Sequence, residues 1–136
     1  MKMDYNKILT DEEFMEIKQH GSSAYPFQYY YDNLELFDFH CIEWHWHREF
    51  EFLYVESGQV TCGIGEKKII LSEGEAIFIN SKILHQFYAS SDGVIPNFVC
   101  MPEFIAPENS LIYKKYILPI ISSNIYFQRF QTDELW

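Results

Sequence analysis

Positive charge is scarce in this sequence. Its 136 residues carry 10 Lys+Arg against 20 Asp+Glu, a formal net charge of −10. Phosphate backbones and anionic lipids are held by clustered Lys and Arg that release counterions, so this chain by itself is not expected to bind DNA or a membrane surface. Cysteine is sparse too. Cys41, Cys62 and Cys100 are widely separated and lack Cys-x-x-Cys spacing, which argues against a disulfide framework or a zinc knuckle and for buried free thiols. No apolar run approaches the roughly 20 residues a membrane-spanning helix needs. The start, Met1-Lys2-Met3-Asp4-Tyr5-Asn6-Lys7, has neither the apolar stretch nor the small-residue cleavage site of a signal peptide. A cytosolic location is therefore expected. Internal repeats, low-complexity tracts and linkers are also lacking.

What is abundant is aromatic and apolar: 12 Phe, 10 Tyr and 3 Trp make 18% of a chain that is 48% hydrophobic. This balance and length suit one globular domain with one core. Thr10-Asp11-Glu12-Glu13 has the capping-box pattern, Phe14 and Ile17 fall on one helical face, and Gly21 offers a left-handed stop. Residues 11–19 therefore read as a short helix, with Asp11, Glu12 and Glu13 as its dipole-matched start rather than an acidic site. Residues 26–99 then form short aromatic and β-branched segments broken by Asp32-Asn33, Ser57-Gly58, Gly65-Glu66, Ser72-Glu73-Gly74 and Asp92-Gly93. Breaks this frequent, with no helical period between them, argue for an antiparallel all-β sandwich or barrel. Residues 60–64, 67–71 and 76–79 read as neighbouring strands of a meander. Residues 110–117 read as a helix stopped before Pro119, and residues 125–130 as a further strand.

The stretch His45-Trp46-His47-Arg48-Glu49-Phe50-Glu51 carries the chemistry. On a strand His45 and His47 point to one face, about 6.6 Å apart along the backbone. Glu51 has the same parity but lies about 13 Å away on a straight strand, so it joins the histidines only if residues 48–50 bend the chain back. His85, after the strand that follows Gly74, would bring a third imidazole from an antiparallel neighbour. Three imidazoles and a carboxylate suit a divalent Zn, Fe, Mn, Ni or Cu ion, with positions left for water or ligand. A His-x-His pair alone is more often a solvated or core hydrogen-bonding pair than a metal site; its conjunction with Glu51, Gly58, Gly74 and His85 is what makes the pattern specific to a fold.

With these residues the chain resembles the cupin superfamily. The first cupin motif, Gly-x5-His-x-His-x3or4-Glu-x6-Gly, is met at His45, His47, Glu51 and Gly58, with Phe39 in place of the first glycine. The second, Gly-x5-Pro-x-Gly-x2-His-x3-Asn, is met at Gly74 and His85, with Asn80, Lys82 and Ala89 at the other positions. The resemblance implies an all-β, cupin-type antiparallel β-barrel or jelly roll, here with a short N-terminal helix and a short helix after the barrel, and a metal set of His45, His47, Glu51 and His85. Residues 45–58, 69–80 and 112–120 further resemble the N-terminal sensor domain of AraC-family transcriptional regulators. That resemblance implies an arm at residues 1–22 and a sensor domain at 23–136 that binds a small-molecule effector and forms a homodimer. DNA would be bound only by a C-terminal helix-turn-helix domain that this sequence does not contain. The sequence stops about where that family's linker and dimer helices begin, and so reads as the first part of a longer regulator.

Cys41 and Glu43 share the parity of His45 and are the candidate effector contacts. Trp44, Trp46, Phe50, Phe52 and Tyr54 have the opposite parity and need a cover, from this chain or from a second subunit. Tyr29-Tyr30-Tyr31 reads as a strand, with tyrosines able to stack on a sugar or aromatic effector if they sit near a barrel mouth. No catalytic residue is assigned. The alternative from another class is a small single-domain cupin metalloenzyme of dioxygenase or isomerase type; a carbohydrate-binding module has only the tyrosines in its favour.

Overall fold

The computed structural model of the chain describes residues 7–90 and 92–132. Among the described residues ten strands are formed: β1 Phe27–Asn33, β2 Cys41–His45, β3 Phe50–Tyr54, β4 Ser57–Gly58, β5 Val60–Ile64, β6 Lys67–Leu71, β7 Ala76–Ile79, β8 His85–Tyr88, β9 Gly93–Cys100 and β10 Phe127–Phe130. They pair antiparallel into two sheets. One runs β1-β9-β3-β7-β10 with β4 also on β9, and the other runs β2-β8-β5-β6. Period-two burial is clearest in β9, where alternate residues are buried along the strand. The buried faces share one core: Ile42, Val60, Cys62, Ile64, Leu71 and Phe87 from the smaller sheet meet Leu53, Ile77, Ile79 and Ile95 from the larger. This is the expected all-β, cupin-type antiparallel architecture. Cys62 and Cys100 are buried free thiols and Cys41 is half-buried. No helix among the described residues is long and apolar enough to cross a membrane.

Three local expectations are corrected. Residues 11–19 are not a helix. The Asp11 carboxylate accepts from the Glu13 and Met15 amides at 2.8 and 3.0 Å, and Phe14 takes φ 68°. The chain doubles back, with Ile17 N–H donating to Leu9 O at 2.9 Å, and lies along Trp46 through Glu16 N–H to Trp46 O and Trp46 N–H to Phe14 O, both 2.9 Å. A nine-residue helix is marginal in water, whereas pairing with the backbone beyond β2 satisfies the same groups and secures the segment to the sandwich. We call residues 7–20 the strap.

The second correction concerns the helix after the barrel. A first turn, α1 (Pro102–Ile105), is followed by a π-turn at Tyr113–Ile117 and by α2 (Leu118–Ile121), so helical structure continues through Pro119. Leu118 N–H bonds to Tyr113 O, one residue further back than in an α-helix. That wider turn accommodates a residue with no amide and a ring that crowds the preceding carbonyl. The third concerns β7, which leaves the β5–β6 hairpin and pairs with β3 and β10 in the larger sheet. Alternation shows which residues face a core, not which sheet carries them.

Most of the aromatic stripe is covered from within the chain. Phe50 is buried with Cys100, Ala106, Tyr113 and Ile117 in a second core under the post-barrel helix. Phe52 stacks on Phe98 at 4.8 Å between centroids, and Trp46 Nε1 donates to Glu13 O of the strap at 2.9 Å. Trp44 lies over Gly63, where an added Cβ would meet its ring at 2.8 Å. Tyr54 remains exposed.

Candidate metal centre

His45 ends β2 directly opposite His85, the first residue of β8. The chain then bends at residues 48 and 49 before β3 begins, and this returns Glu51 to the histidines as its spacing required. His45, His47, Glu51 and His85 are all buried and offer ligand atoms within 4.8 Å of one another. The imidazole centroids of His45 and His85 are 4.2 Å apart, and that of His47 lies 5.4 and 5.1 Å from them.

The backbone sets the tautomers. Nδ1 of His45, His47 and His85 faces the carbonyls of Glu43, Glu49 and Ile83 at 2.8, 3.1 and 2.7 Å. A carbonyl only accepts, so each Nδ1 carries the proton and each neutral ring leaves the Nε2 lone pair for the site. His47 Nε2 and His85 Nε2 then lie 3.1 and 3.4 Å from Glu51 Oε1. His85 Nε2 is buried with no hydrogen-bond partner among the described residues. Lone pairs converging on a carboxylate inside a protein repel unless something positive stands between them, and three imidazoles with one carboxylate are the donor set of a first-row divalent cation.

Without a cation, protons take that part. Burial, with the like charges of His85 and His47, holds His45 well below the ordinary imidazole range. Burial also opposes charge on His47, but the Glu51 carboxylate outweighs it and raises that ring. Burial would raise Glu51, yet His47 and His85 pull it well below the usual carboxylate range.

The loop before β8 is held although its motif residues have drifted. Lys82 N–H donates to His47 O at 2.8 Å and Ser81 Oγ to Arg48 O at 2.6 Å. Asn80, in the proline position of the motif, donates through Nδ2 to Ile120 O and Ile125 O at 2.9 and 2.7 Å. The second motif is thereby tied to α2.

A cavity of about 420 Å³ opens onto the cluster, with His45, His47 and Glu51 in its wall and Ile42, Phe87, Ile95 and Val99 supplying apolar lining. Cys41 and Glu43 do not line it: Glu43 is exposed, and Cys41 is half-buried with Sγ 4.0 Å from Gln86 Oε1. The β2–β8 register shifts between Ile42 and His45, so simple alternation from His45 places the wrong residues inward. Tyr30, one of the tyrosines read as able to stack on an effector, lines the cavity, whereas the polar lining missed by sequence reasoning is Glu16 and His20 of the strap with Asp32 and Asn97. Tyr30 and Asp32 share parity on β1, but no local pattern marks Glu16 and His20, since they reach the cavity only because the strap is folded back.

Residues 41–99 match the Cupin domain family model. Over 133 residues, 95% of its length, the chain is 26% identical to YdeC, an uncharacterized HTH-type transcriptional regulator of Bacillus subtilis (strain 168), and covers 45% of that protein. It thus spans less than half the length of the curated relative it matches. A RmlC-like cupin from Shewanella frigidimarina is similar in structure at a TM-score of 0.49 and 17% identity, covering 54% of this chain and 65% of that one. The Bacillus subtilis oxalate decarboxylase, described with Mn(II) centres, follows at 0.41 and 22%, covering 45% of this chain and 18% of that one. The matched segment runs from β2 into β9, holds all four clustered side chains and most of both sheets, and is the part of the chain that is similar to the Cupin domain family.

Proposed function

We propose that this chain is the effector-sensing part of an AraC-type transcriptional regulator, a cupin that takes a small molecule into its cavity beside a divalent cation held by His45, His47, Glu51 and His85. One observation carries the reading: a cavity of about 420 Å³, of the size that suits a small ligand, has His45, His47 and Glu51 of the cluster in its wall together with an apolar lining. The likeness to a regulator along 95% of the chain favours sensing over catalysis. The orphaned His85 Nε2 supports the cation, which when bound supplies a Lewis-acid contact for a ligand oxygen or nitrogen. The protein's own part is to fix three tautomers through backbone carbonyls, exclude water with its apolar wall and close the cavity with the strap. In this reading the domain works as a homodimer and reaches DNA through a helix-turn-helix part of the full regulator.

Elemental analysis of the purified chain tests the site, with one equivalent of metal expected. His47→Ala and His85→Ala should each lose it while keeping the far-ultraviolet circular dichroism of the parent; full metal content in both variants would remove the site as drawn. A thermal-shift screen across sugars, amines and aromatic acids tests sensing, and no shift from any class would overturn it.

A second reading, a cupin metalloenzyme, is favoured by one feature. His20 lies 5.7 Å from His47 between ring centroids and bonds Tyr30 and Glu16, placing groups able to move a proton next to the cluster. Turnover of oxygen or of a sugar substrate by the metal-loaded chain, abolished in His20→Phe, would establish it in place of sensing.

A further inference from the structure

Next to the cluster the cavity wall carries Tyr30, Asp32 and Glu16. Tyr30 Oη meets His20 Nδ1 at 2.5 Å, and His20 Nε2 meets Glu16 Oε1 at 2.7 Å. Two residues along β1, Asp32 lines the same cavity and takes a hydrogen bond on Oδ2 from Asn97 Nδ2 at 2.9 Å. Glu16, Asp32, Glu49 and Glu51 all act electrostatically on the Tyr30 phenol, which burial and these charges push far above its ordinary range. Lys18 of the strap, which lines this cavity as Lys7 does, holds Nζ 4.7 Å from the Tyr30 ring centroid. Its charge is felt by Asp32, whose carboxyl stands above its ordinary range because burial, with Glu51 and Glu16, outweighs the lowering by Asn97 and Lys18.

We propose that Tyr30, Asp32 and Glu16 form a subsite for the ammonium group of a small apolar amine, and that Lys18 occupies it here as the chain's own stand-in. This rests on the sensing reading and names the ligand class. An ammonium gains from the ring face of Tyr30 and from the carboxylate of Asp32. A carboxylate head would stand among like charges, and an alcohol would gain a hydrogen bond without the charge attraction. The apolar lining from Ile42, Phe87, Ile95 and Val99 takes the hydrocarbon body, and about 420 Å³ holds a monocyclic skeleton. Lys18 is exposed on a flexible stem and leaves the wall by rotamer changes alone.

Calorimetric titration of the full chain with 2-phenylethylamine, 2-phenylethanol and phenylacetate, and with hexylamine, hexanol and hexanoate, tests this. The amines should bind about tenfold more tightly than the alcohols, and the carboxylates should not bind. Asp32→Asn should erase the preference for amine over alcohol. Lys18→Met, which removes the internal competitor, should strengthen amine binding severalfold and leave alcohol binding unchanged. Alcohols or carboxylates that bind as tightly as the amines, or amine affinity unmoved or weakened in Lys18→Met, would overturn the subsite while leaving sensing intact. Failure of both amines to bind wild type and Lys18→Met at millimolar concentration would overturn it as well, and sensing would then stand or fall on the wider ligand screen.

Discussion

Phe39 and Lys82 occupy two positions where the cupin motifs carry glycine, and both keep the backbone that glycine favours, at φ 59° and 64°. Their side chains are exposed, Phe39 by 92%, so neither offsets the left-handed strain with buried area. Phe39→Gly and Lys82→Gly should each stabilise the chain by about 0.5–1 kcal/mol in urea titrations, the relief of strain exceeding the entropy glycine adds to the unfolded chain. The clustered histidines make a second prediction. His45 is lowered in the folded state, so between that value and the unfolded imidazole pKa of about 6.5 the unfolded chain binds the extra proton and stability falls as pH falls. His47 is raised, so its contribution is complete below about 6.5 and is lost as pH rises through the folded value. Metal-stripped protein should therefore be most stable near pH 6.5, with either limb steepening by at most about 1.4 kcal/mol per pH unit. Urea midpoints at pH 5, 6.5 and 8 check this; His45→Gln should flatten the acid limb and His47→Gln the alkaline one.

Among the elements, the link between the second motif and the post-barrel helix is concentrated in Asn80. Its side chain serves Ile120 O, Ile125 O and the Ser81 amide, and it is 4% exposed. Asn80→Ala leaves these groups without partners and should cost about 2–3 kcal/mol in urea, while weakening metal binding through the displaced His85. The strands were largely legible, because alternation and turn residues are local: residues 60–64 and 67–71 are strands of one hairpin, and Phe127–Phe130 is the further strand. The strap was not legible. Its capping-box pattern describes a helix in isolation, and the competing partner, the Trp46 backbone, lies thirty residues away. The π-turn was likewise hidden, since Pro119 signals a stop unless the preceding turn widens.

For the whole molecule, two sheets sharing one core bring the His45, His47, Glu51 and His85 side chains together, and a cation bound there would link β2, β3 and β8. Metal at about 100 times its Kd should raise folding stability by about 2.7 kcal/mol, because only the folded chain assembles the four ligands. Differential scanning calorimetry with and without metal measures this, and the increase should vanish in His85→Ala. What the sequence by itself determined is the strand pattern, the spacing of His45, His47, Glu51 and His85, and the need for a bend before Glu51, all of which follow from residue type and period-two geometry. Tertiary structure alone decided that β7 crosses to the larger sheet, that the shifted register of β2 turns Ile42 rather than Cys41 and Glu43 toward the cavity, and that the strap lays Glu16, Lys18 and His20 against Tyr30 and Asp32. Those outcomes depend on contacts between segments far apart in the chain, where the energy of pairing and burial overrides any local preference.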